Sequence, residues 1–539
     1  MMRSNTLRYL ASLMLVATPV AGSAAVTQVA GEPSRTPAHA APAWKLAQFP
    51  ARSVSHQSYR EMAIERLVDM ERRNARQGVK AVQIGIGRTL SGEGIDRTTP
   101  ALRWVPLKSG GAVARLQVGS PDALGLRVGL QVRSLHPHVE LRFAGTDEPE
   151  RVVAAITAAE AQTTAGADGV YWSPVTDGAA QLIEIYRPAH VKATQARLQA
   201  PQVSHLLTNS RNDFKILKAL GDSGRCNIDA VCRVDALGPA YVQVKNAVAH
   251  MVFNAYNTTG SVLGSYICTG TLLNDTTPGT QVPWFYTADH CFRGGANGVP
   301  VQDRAKVAAT LVTYWGYENS TCGGWDGVRN NAVTGGADIM YYNADVDALL
   351  LRLRNPAPAT ATFAGWDASP LAASAEVIAI HHPSGDAKKY SRGQHVNDAY
   401  SSQFTVGWLE GTTEGGSSGS GLFTRYADNS YRLRGGLYGG NALCSNSGNL
   451  SEPLNRDHYS RLDLVFPQIK QWIAADPVRE NSSQPLVRNA GATAGATAGA
   501  TVQAQGARVA ATPDTPATSP ARPATPRRAA PLRTTQRER

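Results

Sequence analysis

The chain has 539 residues and carries 53 Lys plus Arg against 42 Asp plus Glu, a formal charge of +11. That length exceeds one ordinary hydrophobic core and implies several parts. The positive charge is unevenly placed: residues 221–476 hold 22 acids against 18 basic residues, whereas 477–539 hold nine Arg and three acids. This argues against a nucleic-acid reader, which carries its positive charge on the folded domain.

In chain order, Arg3 and Arg8 precede the apolar run YLASLMLVATPVA and the small residues AGSAA, the pattern of a secretory signal cut near Ala24 or Ala25. Residues 1–25 are expected to be a signal peptide and the mature protein to be secreted, extracellular. No later apolar run reaches the roughly 18 residues that cross a bilayer, so no membrane span is expected. Residues 26–220 hold no cysteine. They run from a Pro/Ala-rich lead, EPSRTPAHAAPAW, through a helical stretch, YREMAIERLVDMERR, to alternating segments, AVQIGIG, VELRFAG and AQLIEIYRP, that read as strands.

Residues 221–476 are rich in short β-type runs: AYVQVKNAVAHMVF, SYICTGTLL, VPWFYTA, DALLLRL and EVIAIHHP, separated by Gly/Asn/Asp turns. Such spacing suggests antiparallel barrels or a sandwich. An amphipathic helix, LDLVFPQIKQWIAAD, closes the segment. Residues 477–539, with AGATAGATAGAT and then Thr/Pro/Arg-rich sequence, lack the large apolar residues of a core and are expected to be disordered.

All six cysteines, Cys226, Cys232, Cys268, Cys291, Cys322 and Cys444, fall within 221–476. An even number in an exported chain reads as three disulfides, but six cysteines allow 15 connectivities and spacing does not choose among them. Zinc is the competing use, yet CNIDAVC has no second CxxC or HxxxH to complete a tetrahedral set. No metal or other cofactor is expected, and the HHP run from His381 to Pro383 reads as framework.

The stretch TTEGGSSGSGLF, Thr412 to Phe423, holds Ser418 in a glycine turn. Such a turn can present a hydroxyl beside uncovered amides, although a Gly/Ser linker has the same composition. A serine nucleophile needs a base, and WFYTADHCF offers His290 at the end of an apolar strand. A carboxylate must then fix the imidazole tautomer. NADVDALLLRL presents Asp347 directly before a buried strand, with Asp345 as the alternative. The order His, Asp, Ser is that of the chymotrypsin-type triad, not of the α/β-hydrolases or subtilisins.

The segments CTGTLL, TADHC, DALLLRL and GGSSGSG resemble the disulfide, histidine, aspartate and serine motifs of trypsin-like proteases. CNIDAVC, VTYWGYENSTC, FAGWD, IAIHHPSGDAKK and TTEGGSSGSG resemble the blocks of the secreted bacterial lysyl endopeptidases, and together cover nearly all of 221–476. The resemblance implies an all-β protease domain, 221–476, of two antiparallel six-stranded β-barrels (chymotrypsin-like) with a C-terminal helix. An α+β propeptide, 26–220, would precede it as inhibitor or folding aid. It further implies Ser418 as the attacking group, the N–H groups of Gly416 and Ser418 as the oxyanion hole, and disulfides Cys226–Cys444, Cys232–Cys322 and Cys268–Cys291.

A pocket for lysine needs an acid, and the trypsin position for it is the neutral Thr412. Asp457 in LNRDHYSRL matches the aspartate of the lysyl family, with Gly439 and Gly440 of GLYGGN as pocket wall; a surface turn beside Arg456 and Arg461 is the alternative. Tyr438 stands where the family shows a histidine, and the segment before FTVGWLEG is shorter, without the family's aromatic partner. Cutting after Arg as well as Lys is therefore the alternative specificity, although 221–476 hold five Lys against thirteen Arg. Ser417 replaces the aspartate with which trypsin receives its new amino terminus, so propeptide removal is the expected switch, with self-cleavage after Lys218 (Lys215 is the neighbouring lysine). Protein or peptide substrates and a monomeric state are expected. The rival reading is a protease-like binding protein without activity, against which all three triad positions are filled.

Overall fold

The computed structural model describes residues 26–474, apart from 39, 76–80, 94–99, 212, 214–221, 296–298, 330 and 397–400. The expected signal peptide, Lys215 and Lys218, the shortened segment before Phe404 and the tail from 477 therefore lie wholly or largely outside the described residues.

Beyond residue 221 the chain builds twelve principal strands in two groups of six. The first group is β1 (Val248–Tyr256), β2 (Val262–Leu273), β3 (Trp284–Thr287), β4 (Val312–Tyr314), β5 (Ala337–Asn343) and β6 (Ala348–Leu353). Antiparallel pairing in the order β4-β1-β2-β3-β6-β5 leaves this group an open half-barrel among the described residues. The second group is β7 (Glu376–His381), β8 (Lys389–Val396), β9 (Gln403–Glu410), β10 (Gly421–Arg425), β11 (Tyr431–Gly440) and β12 (Asp457–Ser460). Here β11 pairs with both β10 and β12, so the ring β7-β8-β9-β12-β11-β10 closes as a six-stranded barrel. This is the chymotrypsin-like, all-β architecture. Closure removes the exposed strand edge that an open sheet must manage.

Every residue of β1 is buried, and β6 is buried at every position but Arg352, so the faces of both strands are largely covered. One core, with Phe253, Phe285, Trp315 and Leu351, fills the first group. A second, with Tyr241, Trp366, Phe423 and Leu433, includes the closing helix Leu462–Ile473. The segment AYVQVKN departs from its strand reading and is the end of a helix, Val234–Asn246, bent at Gly238. Its V-Q-V-K alternation is brief, whereas Val234, Leu237, Tyr241 and Val244 recur at helical spacing and pack against the second core.

The N-terminal domain carries more strand than an α+β reading suggests. One sheet is built around Ala112–Gly119, Glu140–Gly145 and Ala180–Arg187, another around Gly125–Gln131 and Gln199–Leu206. A shared core with Leu116, Val128, Leu141, Phe143 and Val203 lies between them, and the principal helices are Ile64–Asn74 and Ala158–Thr164. This domain adds Val82–Gln83 as an antiparallel strand on β2, opposite Ile267 and Tyr266. Arg127 reaches the region beyond residue 221, donating to the Thr310 carbonyl at 2.7 Å. The start of the Pro/Ala-rich lead and the residues just before it also dock, pairing Glu32–Pro33 with Thr362–Phe363 and Gln28–Val29 with Trp366 and Asp367. No helix among the described residues is long and apolar enough to cross a membrane.

Disulfides join Cys226 to Cys444, Cys232 to Cys322 and Cys268 to Cys291. The first closes a sequence separation of 218, so its removal frees the largest denatured-state loop. Replacing Cys226 and Cys444 together by Ser in the full chain is expected to lower stability by about 2–5 kcal/mol. Denaturant unfolding in a Ser418→Ala background, where self-digestion is suppressed, measures the loss.

Candidate active site

The strand β3 delivers His290 to the junction between the two groups of strands. Immediately after Thr287 the chain turns into a short helix, Asp289–Arg293. Two devices hold this turn: Cys291 is bonded to Cys268 of β2, and the buried Asp289 carboxylate takes a bidentate pair from Arg304 at 2.6 and 2.8 Å. Those bonds raise the Arg304 pKa further above its ordinary value. Planar fork-to-carboxylate pairing fixes orientation as well as distance, and sequence reading missed it because Asp289 was masked by its neighbour His290.

Asp347 approaches from the start of β6. Its backbone has φ of 62°, sparsely used by non-glycine residues. Its carboxylate is buried and spends both oxygens on one residue: Oδ1 accepts the His290 backbone N–H at 2.8 Å, and Oδ2 lies 2.7 Å from His290 Nδ1. On the other side of the ring, His290 Nε2 is 2.7 Å from Ser418 Oγ. Asp345, the alternative carboxylate, is exposed and its N–H is turned to the Asn343 side chain. The three side chains thus form one buried chain of hydrogen bonds, with a proton path from Ser418 to His290.

Ser418 sits in the loop entering β10. Gly416 has φ of 92° and Gly419 φ of 79°. A Cβ on Gly419 would stand 2.0 Å from Thr287 Oγ1 and 2.5 Å from the Thr269 carbonyl oxygen, so β2 and β3 press directly on the serine turn. Among the described residues, the N–H groups of Gly416 and Ser418 have no protein acceptor, whereas that of Ser417 is spent on Glu414 O and that of Gly419 on Leu437 O. Ser417 Oγ is 2.8 Å from His381 Nδ1, whose Nε2 is 3.0 Å from Ser391 Oγ. His382 is framework as well: burial pushes its imidazole well below the ordinary range, and it stacks on Tyr317.

Asp457 begins β12 and is fully buried, which rules out the surface turn. Arg456 instead donates to the carbonyls of Leu450, Glu452 and Asn455, and Arg461 pairs with Asp463. Asp457 Oδ2 accepts from Trp408 Nε1 at 2.7 Å and Thr413 Oγ1 at 2.6 Å. Gly440 lies opposite Asp457 and Gly439 opposite His458; a Cβ on Gly440 would meet Asp457 Oδ1 at 2.6 Å. Thr412 is buried, its carbonyl accepting from Ser391 Oγ at 2.8 Å. Tyr438, half-buried on β11, packs edge-on against His290 with ring centroids 5.8 Å apart.

Trp408, Thr413 and Glu414 escaped the sequence reading. The first two hide among ordinary strand and loop residues, and nothing in their spacing points to Asp457. Glu414 ties the serine loop to the start of the protease region, accepting from Gly224 N–H at 2.8 Å and Asn227 Nδ2 at 2.7 Å.

The family model "Lysyl endopeptidase, C-terminal domain" matches residues 220–460, and "Lysyl endopeptidase N-terminal domain" matches 58–207. A lysyl endopeptidase of Pseudomonas aeruginosa is 36% identical over 410 residues, spanning 73% of this chain and 81% of its own length. The active form of the Rv3671c protease from M. tuberculosis overlaps 49% of this chain and 94% of its own at 14% identity and a TM-score of 0.28. The inactive form overlaps 43% and 92% at 14% identity and 0.25. At such scores the strand pairing alone carries the fold.

Gly419→Ala forces a side chain into backbone and a positive φ at once, and is expected to destabilise the chain by at least about 1 kcal/mol. Thermal unfolding in the Ser418→Ala background tests the first effect. Loss of fluorophosphonate labelling at Ser418, in the variant carrying Gly419→Ala alone, tests the accompanying displacement of the hydroxyl.

Proposed function

This chain belongs to the lysyl endopeptidase family and is a serine endopeptidase; from that premise we propose that it cuts on the carboxyl side of Lys through His290, Asp347 and Ser418. The observation that carries the proposal is the continuous hydrogen-bonded line Asp347, His290, Ser418, with 2.7 Å at each side-chain link. Ser418 Oγ attacks the scissile carbonyl carbon while His290 Nε2 takes its proton. His290 then gives that proton to the leaving amine as the C–N bond breaks, leaving an acyl-enzyme. Water, deprotonated by the same nitrogen, attacks the ester, and Ser418 recovers its proton from His290 on release of the acid. Asp347 holds the Nδ1–H tautomer and stabilises the imidazolium. The uncommitted N–H groups of Gly416 and Ser418 receive the oxyanion, each such donor being worth about 2.7–4 kcal/mol in the transition state.

Asp457 is the proposed partner of the substrate ammonium. Trp408 Nε1 and Thr413 Oγ1 hold its Oδ2 in place, which positions the buried carboxylate to meet a Lys side chain. The Thr412 hydroxyl oxygen is buried without a hydrogen-bond partner among the described residues, which suits an incoming ammonium with three donors. Gly439 and Gly440 leave the wall of this pocket bare. The second reading, cleavage after Arg as well, is favoured by one observation: Tyr438, not a histidine, covers the His290 face of the pocket strand.

The N-terminal domain is the proposed inhibitor and folding aid. Arg73, Asn74 and Ala81 line, with His290 and Cys291, a cavity of about 30 Å³ beside the triad. That position supports blockade of the site until the domain leaves. Secretion is supported by three disulfides, which persist in oxidising compartments.

Asp347→Asn is expected to lower kcat about 10⁴-fold by favouring the wrong tautomer. Asp457→Asn is expected to cost Lys substrates on the order of 10³-fold in kcat/KM, the roughly 3–5 kcal/mol of an unpaired buried charge, while fluorophosphonate labelling of Ser418 persists. Equal losses on a neutral P1 substrate contradict the role of Asp457. Amino-terminal sequencing of the processed wild type is expected to begin at Ala219, with the Ser418→Ala chain left uncut; any other start contradicts self-release after Lys218.

A further inference from the structure

The N-terminal domain carries a second constellation that the protease reading does not use. In LHPHVELRF and RPAHV, three histidines, His136, His138 and His190, converge. His136 and His138 are two residues apart in one tight turn, where His138 N–H donates to His136 Nδ1 at 3.2 Å. His190 arrives from a different loop because Ala180–Arg187 pairs with Glu140–Gly145, Tyr186 opposite Glu140. The pairing brings the start of one strand beside the end of the other. His138 Nδ1 lies 3.0 Å from His190 Nε2, the three rings have mutual centroid distances of 5.1, 5.3 and 5.7 Å, and one candidate donor atom from each lies within 4.8 Å of the others.

The two loops are anchored. Leu135, Val139 and Val191, which flank the histidines, are buried in the domain core. His136 N–H donates to Gln195 O at 2.9 Å, Val139 N–H to His136 O at 2.9 Å and Val191 N–H to Pro188 O at 3.0 Å. Pro137 and Pro188 restrict the backbone on both sides. His138 and His190 are exposed and His136 is half-buried, so the side chains can rotate while their Cα positions stay fixed. Zn–N bonds of about 2.0–2.1 Å place tetrahedral ligand nitrogens roughly 3.3 Å apart, within the reach of such rotation. Two exposed imidazoles and one half-buried one add little to a core.

We propose that His136, His138 and His190 bind a divalent transition-metal ion, zinc in the first place, with water in the fourth position. The donor set is three nitrogens without a carboxylate, which suits zinc, copper or nickel and not calcium or magnesium. The ion bridges two loops that only the folded domain brings together, so it stabilises the N-terminal domain, and with it the uncleaved chain, by mass action. The other histidine–cysteine grouping, Cys268, His290 and Cys291, is of a different kind, since its sulfurs are bonded to each other.

The test uses the untagged full chain carrying Ser418→Ala, stripped with a chelator and titrated with zinc chloride. One zinc per chain is expected to survive gel filtration, and at free zinc of 100 times Kd the unfolding constant of the domain is expected to fall about 100-fold. His138→Gln and His190→Gln are each expected to weaken binding by at least the about 10–100-fold seen for lesser metal-site changes, with near-UV circular dichroism unchanged without metal. Cobalt(II) on the unsubstituted cluster gives a readout independent of these variants: intense tetrahedral d–d absorption is expected. Absence of a retained ion, undiminished binding in both variants, or only the weak octahedral cobalt spectrum would overturn the site.

Discussion

The site depends on one carboxylate holding one histidine twice. Asp347 accepts both the backbone N–H and the ring Nδ1–H of His290, so a single buried group sets the position of the turn and the tautomer of the ring. A buried carboxylate is costly unless hydrogen-bonded, and these two bonds are what make its burial tolerable. They also require that the end of β3 and the start of β6 meet, which the antiparallel pairing of Thr287 with Leu349 secures. The half-barrel is in this sense a device for joining two chain segments 57 residues apart.

Ser418 comes from the other group of strands, and its loop is stitched from both sides. Thr269 of β2 donates to Ser418 O at 2.8 Å, and Gly419 N–H donates to Leu437 O of β11 at 2.8 Å. The same loop, five residues earlier, carries the Thr413 hydroxyl that holds Asp457. Ser418 and the buried Asp457 are therefore set by one short segment, so the proposed catalysis and the proposed substrate selection share a single rigid support. Rigid support of this kind is what a site needs if reacting groups are to be held to a fraction of an ångström.

Much of this was legible in the sequence because the motifs are local. Apolar strands ending in His290, beginning after Asp347 and leaving Ser418 in a glycine turn carry their chemistry and their secondary structure in the same few residues. Pairings that depend on distant segments were not legible from spacing. Asp289 with Arg304, Glu414 with Gly224 and Trp408 with Asp457 join ordinary residue types far apart in sequence. The helix at Val234–Asn246 was misread for a related reason: a three-residue alternation outweighed a helical period that only the packing of Tyr241 and Val244 makes decisive. The docking of the Pro/Ala-rich lead on the protease sheets was hidden by composition, since two-residue strands need no β-branched pattern.

The central claim is that one hydrogen-bonded line and one buried acid together make a Lys-directed protease. It is tested most directly by digesting a denatured protein of known sequence with the purified, processed enzyme and mapping every cut by mass spectrometry, beside the Ser418→Ala protein. Cuts after Lys, absent from the control, are the predicted result. Cuts spread equally over Lys and Arg would contradict the assignment of Lys selectivity to Asp457, and cuts that persist in the control would contradict the triad itself.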